Sequence, residues 1–173
     1  MRKADSIVVS DMITYRRMDV ELRPMAESLL AQFLREDEHY LASSAAYGDC
    51  GGQGLGPALQ MFLDRPELGF VWLGIGSTGP VAVCIVCFAI STSTGTMVAK
   101  LDDVFVTAES RGKGIGSELL STLIDELRAL GVTRIDTSVH LNNCAARRYY
   151  ERNGFETLNE ERLSLLLKDR PTE

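Results

Sequence analysis

The run Arg111-Gly112-Lys113-Gly114-Ile115-Gly116-Ser117 has the composition of an anion-binding turn. Before it, Val104-Phe105-Val106 ends a strand-like segment, and after it a strongly periodic helix begins. Consecutive backbone N–H groups therefore point outward at a positive helix end, an arrangement that cradles phosphate oxygens. Glycine permits close backbone approach, while Arg111 and Lys113 add charge to a dipole contribution of about 0.3 to 1 kcal/mol. A pyrophosphate is the expected ligand. The turn spells neither G-x-x-x-x-G-K-[ST] nor G-x-G-x-x-G, because Ser117 stands where the second needs its last glycine. Taken alone, it reads as a tight turn capping a helix.

Two further groups share the reach of that turn. Asn143 and Tyr150 are seven apart on a predicted helix, two turns along one face, so both can address one ligand. Either residue alone is an ordinary N-cap asparagine or a packed tyrosine. Asp102 and Asp103 stand side by side in an apolar strand, where alternation sends their side chains to opposite faces. At least one must enter a pocket or be buried at a cost.

Read together, Leu101-Asp102-Asp103-Val104-Phe105-Val106, the glycine turn, and Asn143-x-x-Ala146-x-x-Tyr149-Tyr150-x-x-x-Gly154-Phe155 resemble the GCN5-related N-acetyltransferase (GNAT) family. The motifs span residues 101–155, and the order of strands and helices extends the likeness over the rest of the chain. Within the family it is nearest the spermidine/spermine and thialysine branch, whose strand reads L-E-D-x-F-V and whose turn continues R-G-x-G-I-G-S-E.

The resemblance implies an α+β fold, a mixed, mostly antiparallel central sheet flanked by helices, with its fourth and fifth strands splayed around acetyl-CoA. In it the Val104-Phe105-Val106 segment holds the pantetheine arm, through the backbone of Val104 and Val106, and residues 111–117 hold the pyrophosphate. Asn143 hydrogen-bonds the pantetheine, and Tyr150 protonates the departing thiolate as general acid. Tyr149 is assigned to packing. The acceptor is then a primary amine attacking the thioester directly, and freeing such an amine at pH 7 costs about 4.6 kcal/mol. A base is needed, and Asp102, matching the branch's Glu but one methylene shorter, is favoured over a role as a surface ion-pair partner. Asp103, Glu36 and Glu38 would face the amine side, although the acidic run Glu36-Asp37-Glu38 also reads as a solvated face.

The elements that must position these residues follow from periodicity. A first strand over residues 12–18 precedes an amphipathic helix over 23–34. Residues 42–56 have loop composition, able to close over a site, and 57–63 a short helix. Strands over 69–76, 81–92 and 96–106 form a meander, and the helix from Ile115 runs to a stop at Gly131. A strand over 134–140, a helix over 143–153 and a last strand over 162–168 complete a single domain, residues 1–173, with an ordered core over 12–168 and frayed ends.

Composition narrows the partners. With 18 Lys plus Arg against 24 Asp plus Glu, the net charge of −6 argues against a nucleic-acid surface and makes cationic or neutral partners more natural; the resemblance narrows these to a small cationic amine. The longest apolar run, 81–90, is half the roughly 20 residues a bilayer span needs, so no membrane partner and a cytoplasmic location are expected. Cys84 and Cys87, inside that run, point to opposite faces of a strand, and no cysteine, histidine or acid spacing suits a metal. A homodimer is expected from the resemblance. Peptide acetylation and a silent acyl-CoA-binding domain are the rival functions.

Overall fold

The computed structural model describes residues 12–48 and 52–167. Its sheet has five strands in chain order: β1 (Thr14–Arg17), β2 (Gly69–Gly76), β3 (Gly79–Ser91), β4 (Thr96–Val106) and β5 (Ile135–Thr137). The first four pair antiparallel and β5 lies parallel to β4, as the mixed α+β reading requires. Helices α1 (Arg23–Glu36), α2 (Glu38–Ser43), α3 (Leu55–Asp64), α4 (Ile115–Ala129) and α5 (Cys144–Arg152) accompany it.

Both faces of the central strands are covered, which is why β2 and β3 read as continuous apolar runs rather than alternating ones. On one face Trp72, Cys84 and Leu101 pack with Leu119, Leu123 and Leu127 of α4. On the other, Leu73, Val83 and Phe105 pack with Leu30 and Phe33 of α1 and Leu59 of α3. Cys84 and Cys87 serve opposite faces as their spacing demands.

Three expectations change. The loop predicted from residue 42 instead holds the end of α2 and a 3₁₀ turn, Ser44–Tyr47; the Asp37 carboxylate caps α2 by accepting from the Tyr40 N–H at 2.8 Å. Residues 49–51 of that loop, and the expected frayed ends, lie outside the described residues. The strand expected over 134–140 shortens to Ile135–Thr137, because β4 offers it partners only from Ala99 to Leu101. The last strand expected over 162–168 is not formed in residues 162–167. The contacts of this segment lie off the sheet instead, with Arg162 over the Tyr47 ring and Leu166 against Gly48.

Candidate active site

The end of β4 is an open edge. Its pairing with β5 stops at Leu101 opposite Thr137. Between the β3–β4 pairs Ile85–Asp102 and Val83–Phe105 the register shifts, so Asp103 and Val104 together oppose Cys84. Asp103 takes a left-handed φ of 47°, the one such non-glycine among the described residues. This is a β-bulge, and it bends the strand away from its neighbour. Beyond it the Thr107 N–H donates to the Val81 carbonyl at 3.0 Å, so by antiparallel alternation the N–H and C=O of Val106 face the open side. Arg111 Nε donates to that Val106 carbonyl at 3.0 Å, leaving the N–H. Phe105 turns its backbone to β3 and its ring into the α1-side core.

The glycine turn lies at the end of this edge. Gly112 and Gly114 have φ of 73° and 82°, values a side chain resists, and Gly114 caps α4 without any side-chain bond. Its carbonyl accepts from the Glu118 N–H, so the N–H groups of Ile115, Gly116 and Ser117 precede the first intrahelical bond. Lys113 and Ser117 are exposed beside them. Tyr149 does more than pack: its hydroxyl donates to the Gly116 carbonyl at 2.7 Å, and its ring would stand 3.3 Å from a Cβ at Gly116. It ties the first turn of α4 to α5.

Asn143 is the N-cap of α5, its Oδ1 accepting from the Ala146 N–H at 2.9 Å. The cap uses only the amide oxygen, and Nδ2 retains donors. Tyr150, two turns on, is buried between the rings of Tyr149 and Phe155. Burial pushes its phenol far above the usual range, opposed by a hydrogen bond with the Thr137 side chain.

The two β4 carboxylates differ sharply. Asp102 is held by Lys100 at 2.6 Å, both side chains more than a third exposed. Asp103 is partly buried, and burial pushes its carboxyl up to about 6, with the Asp102 charge adding to the rise and Lys100 opposing it. Asp37 acts on it from α2 in the same direction as Asp102. Glu36 and Glu38 stay exposed, Glu36 accepting from Gln32 Nε2 at 3.0 Å. What α2 brings inward is His39, whose ring stacks on His140 at 5.2 Å, and Tyr40, whose ring lies 5.5 Å from Phe33. The resemblance places Asp37 and His39 on the amine side and His140 at a strand end near the cofactor; what the sequence does not show is that Asp37 caps α2 and that the two histidine rings stack.

The family model described as acetyltransferase (GNAT) family matches residues 25–155. The chain belongs to the GNAT family. An uncharacterised N-acetyltransferase of Methanocaldococcus jannaschii is 30% identical over 94 residues, 54% of this chain and 42% of that one. The GNAT match thus spans less than half of that curated relative. Among solved structures, a possible acetyltransferase from Clostridium difficile superposes with a TM-score of 0.75 at 15% identity, over 91% of this chain and 99% of the other. A predicted acetyltransferase from Clostridium acetobutylicum, solved with acetyl-CoA, gives 0.65 at 19% identity, over 90% and 97%. These likenesses establish the fold.

Proposed function

We propose that this GNAT protein transfers an acetyl group from acetyl-CoA to the primary amine of a small, cationic acceptor, by direct attack without an acyl-enzyme. The observation that carries this reading is the continuous run of open β4 edge, bulge and glycine turn, which ends on unbonded N–H groups of α4.

The residues present suit a coenzyme A ligand. Its pyrophosphate would rest on the N–H groups of residues 115–117, with Gly112 and Gly114 leaving the approach free of side chains and Lys113 adding charge. Its arm would lie along Val104 and Val106, with Asn143 Nδ2 reaching it from α5. When bound, acetyl-CoA supplies an acyl carbon activated as a thioester. Tyr150 offers its O–H to the departing sulfur. A phenol raised this far gives up its proton uphill to a thiolate, so its contribution is a hydrogen bond at the moment charge develops on sulfur. One of the β4 carboxylates takes the proton that an ammonium acceptor must lose before it can attack.

The acidic charge, with Asp37, Asp102 and Asp103 grouped near the bulge, favours a cationic acceptor. A homodimer built on residues 162–167 accords with Leu163, Leu165 and Leu167, each more than four-fifths exposed.

The test is mass spectrometry of products after incubation with acetyl-CoA and polyamines, thialysine, lysine, aminoglycosides and peptides, alongside calorimetry of acetyl-CoA binding. Acetylated small amines are the expected outcome. Acetylation confined to peptides would move the acceptor class, binding without any product would make this a silent acyl-CoA-binding domain, and no binding would defeat the reading.

A further inference from the structure

We propose that Asp103, and not its neighbour Asp102, is the catalytic residue that accepts the proton of the attacking ammonium. This rests on the acetyl-transfer reading above and deepens it. Four observations converge on the assignment.

The first is position: Asp103 is the extra residue of the β4 bulge, at the point where β5 has just let go, so it borders the gap the bulge opens. The second is its backbone. Its left-handed φ, a conformation aspartate adopts more readily than most residues, is part of the bulge, and a bulge re-aims the side chain it carries. Third, its rival is partly occupied. The Asp102 carboxylate already holds the Lys100 ammonium at 2.6 Å through Oδ2, so only its other oxygen is open to a second cation. Among the described residues no hydrogen bond or ion pair engages the Asp103 carboxylate. Fourth, its charged surroundings are set to make it a usable base. Asp102 and Lys100 act on it from β4, Asp37 from the cap of α2, and Cys84 lies opposite on β3, its thiol pushed up and kept neutral by burial. A carboxylate raised to about 6 remains ionised at pH 7 yet binds a proton far better than an ordinary aspartate.

The step balances. An N–H bond of the ammonium breaks, its proton joins an Asp103 oxygen, and nitrogen keeps the electron pair. That pair forms the C–N bond to the acyl carbon as the C–S bond breaks, with sulfur taking its electrons. The nitrogen then loses a second proton, which neutralises the sulfur, and Asp103 returns its own proton to solvent. Ammonium plus thioester become amide, thiol and one released proton.

The test is the pH dependence of kcat/KM, with the acceptor found by product analysis, for wild type, Asp103→Asn and Asp102→Asn. Asparagine tolerates left-handed backbone, so the bulge survives the first change. Wild type should lose activity as pH falls through about 6, because protonated Asp103 cannot accept. Asp103→Asn should abolish that limb and lower kcat/KM at pH 7 by about 100-fold or more. Asp102→Asn should keep the limb and move it to lower pH, since removing that neighbour's charge lowers the Asp103 carboxyl. All three should bind acetyl-CoA within a few-fold by calorimetry. A wild-type acid limb in Asp103→Asn, or its loss in Asp102→Asn, would overturn the assignment. Carbon-detected NMR titration of the Asp103 carboxyl in the free protein is a second check, and an ordinary aspartate titration there would also overturn it. Wild-type protein that binds acetyl-CoA but acetylates nothing would sink the acetyl-transfer reading itself, a failure visible before any variant is made.

Discussion

Ionised Asp103 costs the fold stability that the site uses. Its carboxyl rises from 3.8 to about 6 on folding, so the unfolded chain ionises first. Stability from this group is whole below pH 3.8, falls away as pH rises to about 6, and stays lost above it. The separation corresponds to about 3 kcal/mol at most, less any relief by water. Asp103→Asn should therefore raise Tm at pH 8 by several degrees, at about 2–4 °C per kcal/mol for a chain of this size, and leave Tm at pH 3 nearly unchanged. Calorimetric melts at the two pH values check this, and an equal Tm at pH 8 would show the carboxylate is not under that penalty. Tyr150 makes the complementary case. Tyr150→Phe should keep the buried packing between Tyr149 and Phe155 and acetyl-CoA affinity within about twofold, while kcat falls by roughly 100- to 1000-fold. Stopped-flow turnover beside calorimetry separates the two effects.

At the scale of elements, the turn before α4 works through backbone shape. Gly114 at φ 82° both caps the helix and clears its first N–H groups. Gly114→Ala should cost about 1–2 kcal/mol in denaturant unfolding and weaken acetyl-CoA binding at least several-fold, because the strained turn relaxes by moving those groups. Unchanged affinity would separate the turn from pyrophosphate. Tyr149, clamping Gly116 from α5, links this turn to the helix that carries Asn143 and Tyr150. On the opposite side of the cleft, α2 joins the same neighbourhood through the His39–His140 stack.

For the molecule as a whole, charge and exposed apolar surface lead to separate measurements. A net charge of −6 attracts a cationic acceptor over distances that salt shortens, so KM for the acceptor should rise between 50 and 300 mM salt while the acetyl-CoA KM moves less. The leucines of residues 163–167 should hold a dimer in light scattering, and Leu163→Asp with Leu165→Asp should return it to monomer. A monomeric wild type at all concentrations would leave that segment to pack on its own chain.

Much of this is legible in the amino-acid sequence. Burial on both faces wrote β2 and β3 as apolar runs, helical period marked α4 from Ile115, and glycines at left-handed positions marked the turn, because each of these is a local demand on residue type. The family itself was readable from local motifs for the same reason. What tertiary structure alone decided is where β4 stops pairing. Alternation makes Asp102 and Asp103 equal candidates on opposite faces, and only the bulge, set by the register between β3 and β4, frees one carboxylate and leaves the other to Lys100. Likewise the segment over 162–167 has a strand's alternation but pairs with no strand among the described residues, since pairing is a property of two segments and the sequence of one cannot supply the other.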